Sequence, residues 1–205
     1  MRILQLDKET KSNILEDLLK RSPNSYGEFE DRVAAIISEV RKNKDAAIFS
    51  YTKQFDGADI SADNLVVTEE EIKEAYDTVD PTLLAVIRKA LVNIREYHEK
   101  QRQYSWFDSK ENGLILGQKV TPLQRVGVYV PGGKAVYPSS VLMNVVPAKV
   151  AGVSEIIMTT PPGKDGKICA STLVAATEAG VDRIYKVGGA QAIAALAFGT
   201  ESVPK

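Results

Sequence analysis

The chain has 205 residues, 44% of them apolar and 26% charged, with 26 Lys and Arg against 27 Asp and Glu for a net charge of −1. That length supports a full hydrophobic core, and the composition is that of an ordinary soluble globular protein. The near-neutral balance gives no bulk electrostatic ground for a nucleic-acid or membrane partner, and no apolar run approaches the roughly 18 residues of a membrane span.

The first segment, "MRILQLDKETKSNILEDLLK", carries charges throughout and does not read as a signal peptide. Within it "ETKSNILEDLLKR" has the pattern of a short amphipathic helix. A longer one follows, "GEFEDRVAAIISEVRKNKDAAIFSYTKQF", with Phe29, Val33, Ile36, Ile37 and Val40 at helical spacing. Asp56-Gly57 marks a turn, and "NLVV" is a short strand candidate. "TEEEIKEAYDTV" opens with a capping box, Thr68 and Glu71, and its acidic first turn reads as a solvated helix start rather than a metal site. Asp80-Pro81 is a second start signal, an N-cap with proline at the first helical position. The helix after it should run to about Arg102, with Leu84, Ile87, Leu91, Ile94 and the single histidine, His98, along one stripe. His98 therefore reads as a helix-surface or half-buried residue. One His and one Cys are also too few for a zinc site or a His-based triad built by this chain alone. "YSWFDSKENGLILGQKV" reads as a hairpin turning at Asn112-Gly113, with Trp106 and Phe107 plugging a core or a subunit contact.

A change of character comes near Gln124–Val126. Before Val126 the chain holds 19 basic and 22 acidic residues; from there to Lys205 it holds 7 and 5. The division expected is a helical N-terminal region with a small hairpin, 1–125, and a second region, 126–205. That second region alternates strands and helices: "RVGVYVPGG", "SSVLMNVVPAKVAG" with Pro147 inside, "SEIIMTT", "KICASTLVAATEAG", "DRIYKV" and "GGAQAIAALAFG". The fold class expected is α/β, an incomplete Rossmann-like parallel sheet of βαβαβα order after the helical region. Cys169 is expected as a small core residue; being alone, it excludes an internal disulfide and fits a reducing cytoplasm.

In such a sheet ligands collect beyond the carboxyl ends of the strands. Two glycine pairs fall there, Gly132-Gly133 and Gly188-Gly189, with Tyr129 and Gln191 beside them and Lys134 following the first. Glycine permits sharp turns and close backbone approach, and helix N-termini behind the turns suit an anionic group. Tyr129 could equally be a packing aromatic, Gln191 a loop-bonding amide and Lys134 a solvated lysine. No G-x-G-x-x-G, no Walker lysine loop and no acid at the end of the second strand is present, so an ordinary dinucleotide fingerprint is excluded.

"VGVYVPGGKAVYPSSVLMNVVPAKVAG" followed by "VGGAQAIAALAFGTESVPK" closely resembles histidinol dehydrogenase. The resemblance extends through "FD" before the "VTEEEI" helix and through "NIREYHEKQ", and it is strongest from Gly127 onward. It implies an NAD-dependent oxidation of L-histidinol to L-histidine through L-histidinaldehyde, in a cytoplasmic homodimer with a bound zinc. It also implies that Tyr129 and Gln191 contact NAD. The family's zinc ligands and its glutamate–histidine acid–base pair lie in a half with no counterpart in this sequence, so no catalytic and no metal residue is assigned here. The alternative is a non-catalytic nucleotide-binding or subunit-assembly module.

Overall fold

The computed structural model describes residues 27–133 and 135–205. The expected helix at "ETKSNILEDLLKR" and Lys134 lie outside them. The described chain runs α1 (Gly27–Asp56), α2 (Glu69–Thr78), α3 (Pro81–Glu99), β1 (Trp106–Ser109), β2 (Ile115–Gln118), β3 (Arg125–Tyr129), α4 (Pro138–Ala151), β4 (Glu155–Thr160), α5 (Ala170–Ala179), β5 (Arg183–Lys186) and α6 (Gly189–Phe198). The expected charge boundary coincides with the start of β3.

The centre is a parallel sheet in the order β3-β4-β5, with Tyr129 opposite Thr159 and Thr159 opposite Tyr185. Its strands are short apolar runs because helices cover both faces. Val128, Ile156, Met158 and Ile184 point into one core with α4 and α5, and α2 and α3 pack against the same side. Ile157, Tyr185 and Val187 point the other way, toward α1 and α6. The alternation of residues along each strand decides which helical layer each side chain meets. The outer edge of β5 is closed by the segment before α2: the Val67 N–H bonds the Ile184 carbonyl at 2.9 Å and the Lys186 N–H bonds the Leu65 carbonyl at 2.8 Å. "NLVV" is thus not a strand of the sheet but a single antiparallel bridge, Val66 to Tyr185.

The helix signals act as their chemistry requires. Thr68 and Glu71 form the reciprocal capping box, and Asp80 caps α3 ahead of Pro81. α4 tolerates Pro147 and ends at left-handed Gly152; α5 ends at left-handed Gly180. α3 stops at Glu99, three residues short of the expected Arg102. In α1 the apolar stripe meets the core only from Ile36 onward, since Phe29 and Val33 are exposed. The helix also breaks at Lys44, whose φ of 46° is left-handed. The break is held by the segment after α6: Glu201 accepts the Asp45 N–H at 3.1 Å, and Asp45 accepts the Ser202 hydroxyl at 2.6 Å.

Two sequence expectations are corrected. The hairpin forms as expected, Trp106–Ser109 against Ile115–Gln118, but every residue of both strands is exposed. Trp106 and Phe107 are 55% and 66% accessible, so neither plugs a core formed by the described residues, which overturns the core half of that expectation and leaves the subunit contact. Cys169 is also exposed; it sits at the N-cap of α5 because the apolar helical face begins only with Ala170.

α2, α3 and α5 are joined by one carboxylate. Glu178 on α5 accepts both Nε and Nη2 of Arg88 at 2.9 and 2.8 Å, and the Tyr76 hydroxyl at 2.8 Å. The Arg88 hydrogen bond holds the Glu178 carboxyl below its ordinary value, and burial, then Glu178 itself, push the Tyr76 phenol up to about 12. A carboxylate with a depressed folded pKa adds stability above its unfolded pKa of about 4.3 and loses it as pH falls through the folded value. Urea unfolding followed between roughly pH 3 and pH 7 should therefore show a shallower acid limb in Glu178→Gln than in the native chain. Parallel acid limbs would remove Glu178 from the account.

Candidate functional site

All three parallel strands end on one side of the molecule, and the segments leaving them converge on Pro161, the first residue after β4. A Cβ placed on Gly188 would lie 2.5 Å from Pro161 Cβ, and one on Gly132 would lie 2.9 Å from Pro161 Cγ. Both contacts are closer than a side chain permits. One glycine of each pair is therefore spent on admitting the same proline ring. Gly133 differs: its φ is 94° and nothing lies within 4 Å of its Cβ position, so it faces open space.

Gly189 brings the two expected site residues together. Its N–H donates to the Tyr129 hydroxyl at 3.3 Å. Its φ is 67°, and the position of a Cβ there is only 2.5 Å from Gln191 Oε1. The Gln191 side chain thus folds back over the turn that starts α6, into space that only glycine leaves free. Gln191 is 1% exposed, and neither its Oε1 nor its Nε2 has a hydrogen-bond partner among the described residues. The open alternative of a loop-bonding amide thereby loses its hydrogen bond. Tyr129 is half-buried and packs against the core on the α1–α6 side.

The same side of the sheet holds the other sealed, unpaired polar side-chain atoms: Thr52 Oγ1 and Asp56 Oδ2 on α1, Thr159 Oγ1 on β4 and the Tyr185 hydroxyl on β5. Burial raises the pKa of Asp56 and of Tyr185, which keeps the charged forms disfavoured. Tyr129, Thr159 and Tyr185 are register partners, so three hydroxyl-bearing residues cross the sheet in one row.

Sequence reasoning missed Lys186. It is 5% exposed at the carboxyl end of β5 and pairs with Glu71 at 2.5 Å, while the other Glu71 oxygen accepts the Thr68 N–H at 2.9 Å. The acidic start of α2 is thus not merely solvated. A lysine inside an apolar strand was the signal, since buried ammonium groups are almost always paired. Pro161 was missed as well, because no local pattern connects it to glycines 29 residues before it and 27 after it. His98 is half-buried near the end of α3, with Nδ1 2.7 Å from Gln101 Oε1, and lines a different cleft, with Pro122, Pro147 and Ala151. Among the described residues no group of three or more His, Cys, Asp or Glu side chains could hold a metal ion, so zinc does not fit the residues present.

A family model for histidinol dehydrogenase matches residues 19–205. The chain belongs to the histidinol dehydrogenase family. The histidinol dehydrogenase of Bacillus licheniformis is 56% identical over 186 residues, covering 90% of this chain and 43% of that protein. The Clostridium acetobutylicum histidinol dehydrogenase is 51% identical over 205 residues, covering 100% of this chain and 47% of that protein. A crystal structure of histidinol dehydrogenase from Elizabethkingia anophelis superimposes with a TM-score of 0.80 at 35% identity, over 86% of this chain and 40% of that one. The chain thus spans less than half the length of these histidinol dehydrogenases. Both glycine pairs, Tyr129 and Gln191 lie inside the matched range.

The Gly189–Gln191 contact can be measured without a ligand. Gly189→Ala should cost about 1 kcal/mol or more from the left-handed φ and the clash together. In a Gln191→Ala background the same substitution should cost less, because the φ penalty remains and the clash is gone. Urea unfolding of the four proteins of this cycle checks it; strict additivity would show that the amide does not occupy the Gly189 Cβ space.

Proposed function

We propose that this chain supplies the dinucleotide-contacting part of an NAD-dependent histidinol dehydrogenase, with Tyr129 and Gln191 as the NAD contacts. The observation that carries the reading is the meeting of the Tyr129 hydroxyl and the unpaired Gln191 amide at Gly189, at the carboxyl edge of a parallel sheet, within a family match that covers nearly the whole chain. When bound, NAD accepts a hydride. The residues of this chain bind and orient it: an amide offers both a donor and an acceptor to a polar ligand edge. Gln191 is nearly sealed in the ligand-free geometry, so the turn must yield for the contact to form. Gly188 and Gly189 supply the backbone freedom for that movement.

In the complete enzyme, L-histidinol would pass through L-histidinaldehyde to L-histidine, the last steps of histidine biosynthesis, in a cytoplasmic homodimer. Zinc binding and acid–base chemistry belong to the part of the enzyme beyond these residues: the single histidine, His98, cannot serve as both metal ligand and base. This chain alone contributes contacts and scaffold and does not turn over. A second reading, a non-catalytic nucleotide-binding or subunit-assembly module, is favoured by the exposed apolar hairpin, where Trp106 and Phe107 suit a subunit contact.

NAD titration of the native chain, Tyr129→Phe and Gln191→Ala should show weakening of about five- to tenfold for each variant, the effect of one lost hydrogen bond. Unchanged affinity in both would sink the assignment. Histidinol-dependent NADH formation should be absent with this chain and appear when a separately produced C-terminal half is added.

A further inference from the structure

Both faces of the β1–β2 hairpin are apolar. Register and alternation put Trp106 and Leu116 on one face and Phe107 and Ile115 on the other. Each couple is a diagonal cross-strand pair, within reach of an aromatic side chain. Gly117 belongs to the Phe107 face: a Cβ there would stand 2.5 Å from Phe107 Cδ1, so the ring lies across the glycine. All four apolar side chains are more than half exposed. A hairpin resting on its own protein has one face covered; this one leaves both open and projects as an arm. A two-stranded hairpin by itself is marginally stable in water, so an arm of this composition calls for cover on both sides.

Charge selects the cover. At the tip, Lys110 is paired with Asp108 at 2.6 Å. Glu111 beside it is exposed and has no hydrogen bond or ion pair among the described residues. At the base, Ser105 and Val120 close the arm by hydrogen bonds of 3.2 and 2.9 Å. There a cleft of about 480 Å³ opens between the end of α3 and α4. His98, Arg102, Tyr104, Val120, Pro122 and Pro147 contribute to its walls, and among the described residues no carboxylate does. The Arg102 guanidinium stands 5.4 Å from the centre of the Tyr104 ring and has no ion pair among the described residues. Lys100 and Lys119 flank the base, against Glu99. An acidic tip and a basic cleft at opposite ends of one arm cannot meet within a chain, because strands of this length hold them roughly 13 Å apart. Two arms laid antiparallel about a two-fold axis bring each tip to the other's base, so that the same contact is made twice.

We propose that the hairpin is an exchange arm for a second copy of this chain. The faces carrying Trp106 and Phe107 are covered by the other copy, and Glu111 enters the cleft beside Arg102 of the partner subunit. The proposal rests on the homodimer reading above and gives that dimer its surface; it is independent of the dinucleotide contacts.

Sedimentation equilibrium of the full chain at micromolar concentration tests it. The native chain should be a dimer. Phe107→Ser/Ile115→Ser should weaken dimerisation by about tenfold or more, since each lost apolar contact counts twice across the axis. Both residues are exposed, so the circular dichroism of the variant should match that of the native chain. Glu111→Arg and Arg102→Glu should each weaken the dimer by about three- to tenfold, as rim charges do. The chain carrying both reversals should regain most of the native affinity, which neither a folding defect nor a different partner would produce. Loss without that recovery would place the tip elsewhere and overturn the exchange. If every variant dimerises as the native chain does, the arm falls and the homodimer reading stands on another surface. If the native chain is monomeric throughout, both fall. A monomer that binds a separately produced C-terminal half, and loses it in Phe107→Ser/Ile115→Ser, would make the rest of the enzyme the cover and overturn the proposal.

Discussion

The constraint on which the rest of the molecule depends is that a parallel ladder of three strands is stable only when both faces are covered. β3, β4 and β5 have no polar face to turn to water: Ile156, Ile157 and Met158 are successive residues, and all are buried. Each layer must therefore come from elsewhere in the chain. α4 and α5, as the crossovers between consecutive strands, lie together on one side, as right-handed connections made in one direction require. The opposite side would be bare without α1, drawn from the charged N-terminal region, and α6. That division of labour is why α1 and α6 pack against each other. It is also why the segment after α6 is tied back to the break in α1 through Asp45, Glu201 and Ser202.

With both faces covered, the ion pairs of the strands stand at their two ends. At the amino end it is structural: Glu155 bridges Arg125 and Arg183, drawing the first residues of β3, β4 and β5 together, and Asp182 accepts the Ile156 N–H at 2.7 Å. At the carboxyl end the buried Lys186 is matched by Glu71, so α2 is clamped to β5 by a pair that cannot be half-removed without stranding a buried charge. Beside it, Pro161 sits between the two glycine turns. The glycines are thus not interchangeable: Gly132 and Gly188 admit the ring, Gly189 admits the Gln191 amide, and Gly133 alone is open toward solvent.

What could be read in the sequence was whatever depends on neighbours within about one turn or one strand. The Thr68–Glu71 box, the Asp80-Pro81 start, the left-handed stops at Gly152 and Gly180, the Asn112-Gly113 hairpin and the alternation after Arg125 are all local, and all form. What could not be read depends on residues far apart in the chain. The Lys44 break is stabilised by residues more than 150 positions away. Trp106 and Phe107 have the composition of buried residues, but burial is decided by what packs against them, and within the described residues nothing does so enough to cover them. Cys169 was misplaced by one residue of helix boundary, which is enough to move a side chain from an apolar face to a cap. The site itself was half legible. The glycine pairs, Tyr129 and Gln191 stood out as punctuation and polarity at strand ends, whereas the way Gly189 joins them is a fact of three dimensions.

Among the described residues, the sealed polar atoms left unpaired lie on the same side of the sheet as that junction. A sealed donor or acceptor without a partner costs about 1–3 kcal/mol, and Thr52, Asp56, Thr159, Tyr185 and Gln191 all carry such atoms between the sheet and the α1–α6 layer. Among the described residues the α4–α5 side carries no such sealed atom: its buried threonines, Thr160 and Thr172, line a cleft, and its buried lysine is paired. Poor packing does not account for the unpaired atoms on the α1–α6 side, since Ile157, Val187, Ala192 and Ala195 there are fully buried. The unmet hydrogen bonds therefore lie inside a well-packed layer, with Gln191 beside the glycine turn at the carboxyl edge and the Tyr185 hydroxyl near the charges of Arg183, Glu155 and Arg125 at the amino end.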